Sequence, residues 1–99
     1  MDGFEWDAVK EIQNIAKHGI DFETASSIWK GSVYELIDRR RDYGETRAIA
    51  TGMAGDRILV VIYTPRGEDR RIISARRAKA SERKRFEEEI ARREKSPLH

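Results

Sequence analysis

The chain has 99 residues, enough for one small domain with a single thin hydrophobic core. Apolar and charged residues each make up 38% of it, a charge density well above the roughly 25% of an average globular chain, so the surface must carry dense ion pairs or an electrostatic function. The absence of cysteine excludes disulfides, thiolate metal sites and a cysteine nucleophile, and two histidines leave little for zinc, so no cofactor is expected.

No run of about 18 apolar residues is present, so no membrane contact is expected. The start, MDGFEWDAVK, is acidic where a secretory signal would be basic and then apolar, so a cytoplasmic protein is expected. Phe4-Glu5-Trp6 alternates and reads as a short edge strand. Asp7 then N-caps a helix in which Ala8, Ile12, Ile15 and Ala16 recur at helical spacing, and Gly19 closes it. A second helix follows at once, N-capped by Asp21, with Phe22, Ala25, Ile28 and Trp29 on one stripe and Gly31 at its end.

From Gly31 the period changes to two. Strands are expected over Val33–Ile37, Thr46–Met53, Arg57–Thr64 and Arg70–Arg77, with an arginine-rich loop over Arg39–Gly44. Strict alternation on the last strand sets Arg70, Ile72, Ser74 and Arg76 on one face and Arg71, Ile73, Ala75 and Arg77 on the other. Ser81 N-caps a final helix that offers Phe86 and Ile90 as its large apolar residues. The expected architecture is α+β, with two N-terminal helices and a C-terminal helix on a mostly antiparallel sheet. One domain is expected over residues 1–94, and residues 95–99 should fray.

The net charge of +2 hides an asymmetry. Residues 1–50 carry 7 Lys/Arg against 10 Asp/Glu, and residues 51–99 carry 13 against 8. Concentrated positive charge on a nearly neutral chain points to a polyanion or an acidic protein as partner; a solvated charged face is the plainer alternative. Arginine outnumbers lysine, which suits bidentate recognition of phosphate or carboxylate. Arg76 or Arg77 must end near the sheet rim beside the last helix, with Arg83, Lys84 and Arg85 close behind. These side chains, with the Arg39–Arg41 loop, have the makings of a phosphate clamp, unless they are spent on Glu82, Glu87 and Glu88. His18, at a helix C-terminus, is either a brace for unpaired carbonyls or a general acid/base.

FEWDAVK, NIAKHGIDFETA, RDYGETRAIATG and ILVVIYTPRGEDRRIISARRAKASERKRFEE, in unbroken order, resemble the BrnT family of type II toxin–antitoxin toxins. The resemblance implies a RelE/ParE-like fold, a ribonuclease activity that shuts down translation, and neutralisation by a BrnA-type antitoxin in a hetero-oligomer that represses its own operon, touching operator DNA only through the antitoxin. The family's motif residues fall on Lys17, His18, Gly19, Arg47, Gly52, Tyr63, Arg71, Ser74, Arg76, Glu82 and Arg83. Where members often carry a tyrosine in the last helix, this chain has Phe86.

The expected function is therefore a metal-independent endoribonuclease using the 2′-OH of RNA. Arg71, Arg76 and Arg83 would meet phosphate, and His18 or Lys17 would share proton transfer or charge stabilisation. Arg39, Arg40, Arg41, Arg66, Arg77, Lys79 and Lys84 would hold the RNA. The alternative is a toxin that binds and blocks gyrase or the ribosome without chemistry.

Overall fold

The computed structural model describes residues 3–95. Asp7 caps the first helix, α1 (Ala8–His18), by accepting from the backbone N–H groups of Val9 at 2.7 Å and Lys10 at 3.3 Å. Gly19 ends α1 at φ 71°, the left-handed region where a side chain would be strained, and donates its N–H to Ile15. Helix α2 (Phe22–Ser26) starts at once, but the Asp21 side chain does not cap it. Glu11 of α1 does so instead, accepting the Phe22 N–H at 2.9 Å. The expected second helix also divides. After Ser26 the chain tightens into a 3₁₀ turn, Ser27–Lys30, where the Ser26 and Ser27 hydroxyls donate to carbonyls three residues back.

Five strands form one sheet: β1 (Gly3–Trp6), β2 (Val33–Ile37), β3 (Ala48–Ala54), β4 (Arg57–Arg66) and β5 (Asp69–Arg77), in the order β1-β5-β4-β3-β2. The sheet is mixed, which corrects the expectation of a mostly antiparallel one. β2 to β5 form the antiparallel meander that short connections dictate. β1 pairs parallel with β5, Gly3 opposite Asp69 through Trp6 opposite Ile72. The helices after β1 carry the chain over the sheet to its far edge before β2 begins, so β1 is free to run in the direction of β5.

The main core lies between the N-terminal helical segments and one face of the sheet. Ile20, Phe22, Ala25 and Ile28 pack there with Ala48, Ala50, Leu59, Val61, Tyr63, Ile72 and Ala75, and Trp6 and Trp29 cover the margin. Gly52 allows the 3₁₀ turn to approach: a Cβ there would stand 3.0 Å from the Ile28 Cβ and 3.4 Å from Val33 Cγ2. Helix α3 (Ala80–Lys95) touches β2 and β3 and buries Phe86, which is plain core in this chain. Its start lies two residues earlier than the Ser81 cap predicts. Lys79 occupies the cap position, and Glu82, three residues on, reaches back to accept the Lys79 N–H at 2.7 Å, one half of a capping box. Of the expected frayed tail, residues 96–99 lie outside the described residues. No helix among the described residues is long and apolar enough to cross a membrane.

Helix α1 departs furthest from its sequence pattern. Its apolar stripe faces solvent, with Val9 60%, Ile12 66% and Ile15 45% exposed, while the buried residue is Asn14. The cause lies in the sheet. β1 pairs β5 only as far as Ile72, and beyond that point Asn14 occupies the β5 edge, accepting from Ala75 N–H and donating to Ala75 and Ile20 carbonyls. Satisfying buried backbone groups at that edge outweighs burying one apolar stripe.

Candidate active site on the open face of the sheet

A β-bulge decides which β5 side chains share a face. Tyr63 pairs with Ile72 and Ile62 with Ser74, which leaves Ile73 as the extra residue. Strict alternation would separate Arg71 from Ser74 and Arg76. The bulge resets the phase, so Ile72 and Ala75 both enter the core while Arg71, Ser74 and Arg76 lie together on the opposite face, beside Thr64, Ile62 and Val60. The expected grouping of Arg70 and Ile72 with Ser74 and Arg76 is thereby corrected.

Two of these three residues carry a carboxylate partner. Arg71 donates to Glu5, its cross-strand neighbour on β1, at 2.7 Å. Arg76 grips Glu82 through both terminal nitrogens, at 2.7 and 2.8 Å. This fork holds the Glu82 carboxyl down at about 2, and it raises the Arg76 guanidinium in return. The charge of Arg40, on the arginine loop between β2 and β3, acts on Arg76 in the opposite sense.

That loop is braced from within. Arg40, whose side chain is 72% exposed, bonds the buried Asp38 through Nε at 2.9 Å and Nη2 at 2.8 Å, and Tyr43 donates to the same carboxylate at 3.0 Å. The Arg40 bonds hold Asp38 well below the usual carboxylate range. Arg47 and Arg41 lie over the Tyr43 ring at 4.1 and 5.4 Å. Glu45 gathers Thr64, Arg47 and, at 3.9 Å, Arg66.

Lys17 and His18 reach the site from the β5 edge, where they line a shallow cleft of about 180 Å³ with Ile73 and Ser74. Arg83 does not join them. It donates to the Ala78 carbonyl at 3.3 Å and lines, with Arg77, a separate cleft of about 420 Å³ beside the β3–β4 turn. Lys79 contributes its backbone N–H to the α3 cap, and Arg39, Lys79 and Lys84 have exposed side chains. The structure thus sets Arg71, Ser74 and Arg76 on one face, with Lys17 and His18 sharing a cleft with Ser74 and Arg66 tied through Glu45 to Thr64 beside Arg71, while Arg77 and Arg83 line a separate cleft.

Three features escaped the sequence. A groove of about 180 Å³ runs beside the Arg76–Glu82 pair, lined by Tyr34, Leu36, Ile49, Thr51 and Arg85, whose guanidinium lies 5.4 Å from the Tyr34 ring centre. The alternation of Tyr34 with Leu36 was the available signal. On the helix-covered face, Glu35 accepts from Tyr63 at 2.5 Å and Trp29 Nε1 at 3.0 Å, and Arg70 lies 4.5 Å from the Trp29 ring centre. Burial pushes the Tyr63 hydroxyl up, and that motif residue stands on the face opposite Arg71, Ser74 and Arg76. Asn14 was the third; a lone amide on a helix gives no sign of the strand it will meet. Among the described residues, no group of three or more His, Asp or Glu is placed to hold a metal ion.

A sequence profile described as "Ribonuclease toxin, BrnT, of type II toxin-antitoxin system" matches residues 6–82. The crystal structure of the Brucella abortus ribonuclease toxin BrnT aligns with a TM-score of 0.60 at 32% identity, covering 80% of this chain and 99% of that one. No curated protein sequence matches. Profile and crystal structure agree, and the chain belongs to the BrnT family of ribonuclease toxins of type II toxin–antitoxin systems.

Proposed function

We propose that this ribonuclease toxin cuts RNA without a metal ion, by attack of a ribose 2′-OH, on the sheet face that carries Arg71, Ser74 and Arg76, and that the cuts stop translation in the cytoplasm. The bulge is the observation that carries the reading, because it gathers the motif side chains best suited to phosphate on one open surface. In the reaction the 2′-oxygen bonds to phosphorus, the P–O5′ bond breaks, and a 2′,3′-cyclic phosphate and a 5′-OH result. The protein supplies a base for the 2′ proton, cations for the charge that develops at phosphorus, and an acid for the departing 5′-oxygen. Arg71 and Arg76 serve as the cations, Arg40 draws the backbone in, and His18 and Lys17 at the rim handle protons and charge. Both ion pairs are partly exposed to water, so exchanging carboxylate for phosphate costs little. The neutralising partner is an antitoxin of the BrnA type, in a hetero-oligomer that contacts operator DNA through the antitoxin.

The test is to express the toxin alone and map RNA ends, with Arg76→Ala as control. Cleavage that the substitution lowers by about 100-fold or more supports the reading. Intact RNA with arrested supercoiling or peptide synthesis would favour a toxin that blocks its target by binding.

A further inference from the structure

Helix α1 is packed inside out. Its polar side, Glu11, Asn14 and His18, turns toward the fold, where Glu11 holds the Phe22 amide and Asn14 holds the β5 edge. Its apolar side is left to water along the whole length of the helix, through Ala8, Val9, Ile12, Ile15 and Ala16. At 3.6 residues per turn these five positions fill one continuous arc of about 120°. Scattered exposed aliphatics are ordinary; a continuous stripe is the mark of an interface.

We infer that this stripe is where the antitoxin docks, through an acidic amphipathic helix. The inference rests on the reading above that an antitoxin neutralises this toxin, and it names the surface used. Charge placement identifies the occupant. Along the border of the stripe nearest the site stand Lys10 and Lys17, and these two line the same cleft as His18 and Ser74. A helix with apolar residues on Ile12 and carboxylates toward the two lysines would extend over that cleft and exclude substrate from it. A second copy of this chain fits poorly. An antiparallel two-fold pairing along the stripe would set the lysine rows of both copies on one side, like charge against like.

The experiment measures binding of the purified product of the reading frame adjoining the toxin gene to wild-type toxin, Ile12→Asp and Lys10→Glu. Ile12→Asp raises the Kd by at least about 30-fold, and Lys10→Glu slows association and flattens its salt dependence. Because Ile12 is exposed, the Ile12→Asp toxin keeps its melting temperature and its own activity on RNA. Equal affinity of wild type and Ile12→Asp overturns the inference, as does an adjoining product that fails to bind wild-type toxin. So does a toxin dimer that Ile12→Asp dissociates while antitoxin affinity is retained. The two proposals fail separately. Wild-type toxin that cuts no RNA yet binds through Ile12 removes the cleavage reading alone, and cleavage with Ile12-independent binding removes the docking surface alone.

Discussion

Asn14 and Ala75 exchange hydrogen bonds as two strand residues would: the Asn14 amide donates to the Ala75 carbonyl at 2.9 Å, and the Ala75 N–H donates to Asn14 Oδ1 at 3.1 Å. One side chain thus replaces a strand neighbour where β1 has ended, and it also donates to Ile20 at 2.9 Å. Asn14→Leu would preserve the volume and leave these buried backbone groups unpaired. A loss of about 2–4 kcal/mol is expected, read as a fall in the urea midpoint at unchanged m-value. Asn14→Asp should be as damaging at neutral pH, since a carboxylate cannot donate to either carbonyl.

Gly52→Ala tests the close approach of the 3₁₀ turn to β3. The new methyl would press on Ile28 Cβ at 3.0 Å, a side chain that is itself fully buried. Destabilisation of about 1–3 kcal/mol follows, measured by thermal unfolding. Gly19→Ala acts through the backbone and not through space, and should cost about 1 kcal/mol.

Acid should weaken the tie between β5 and α3. The Glu82 carboxyl sits at about 2 in the folded chain against an ordinary 4.5, so its contribution is complete above 4.5 and is lost as the pH falls from there toward 2. Unfolding midpoints measured from pH 6 down to pH 2.5 should therefore fall less steeply for Glu82→Gln than for wild type. An identical slope would remove the Arg76–Glu82 pair from the account.

His18→Gln should lower the cleavage rate by about 10²–10⁴ while leaving the affinity for an uncleavable RNA with 2′-deoxyribose at the cut position unchanged. A fall in affinity with an unchanged rate would instead make His18 a binding residue. Wild-type cleavage of the 2′-deoxy RNA would remove the 2′-OH as nucleophile.

The sequence carried the strand positions, the Asp7 and Gly19 caps and the meander, because each depends on residues near one another in the chain. Periodicity also showed which residues of α1 share a face, but not whether that face meets the core or a partner, since a stripe looks the same in both cases. The β5 bulge was invisible for a related reason: alternation assumes a regular pleat, and one unpaired residue, Ile73, reverses every assignment after it. Of the arginines, Arg71 and Arg76 reached the open face, whereas the helix turned Arg83 onto the Ala78 carbonyl. Their proximity in sequence had suggested one cluster.

Glu82 is gripped twice, by the Lys79 amide and by the Arg76 fork, and the two holds serve different ends. If, as proposed, an RNA phosphate draws Arg76 away, the amide would keep its acceptor and the first turn of α3 would stay wound. On that proposal the guanidinium would change allegiance without unravelling the scaffold that aims it, and the vacated carboxylate would stand at arm's length to take it back once the product had left.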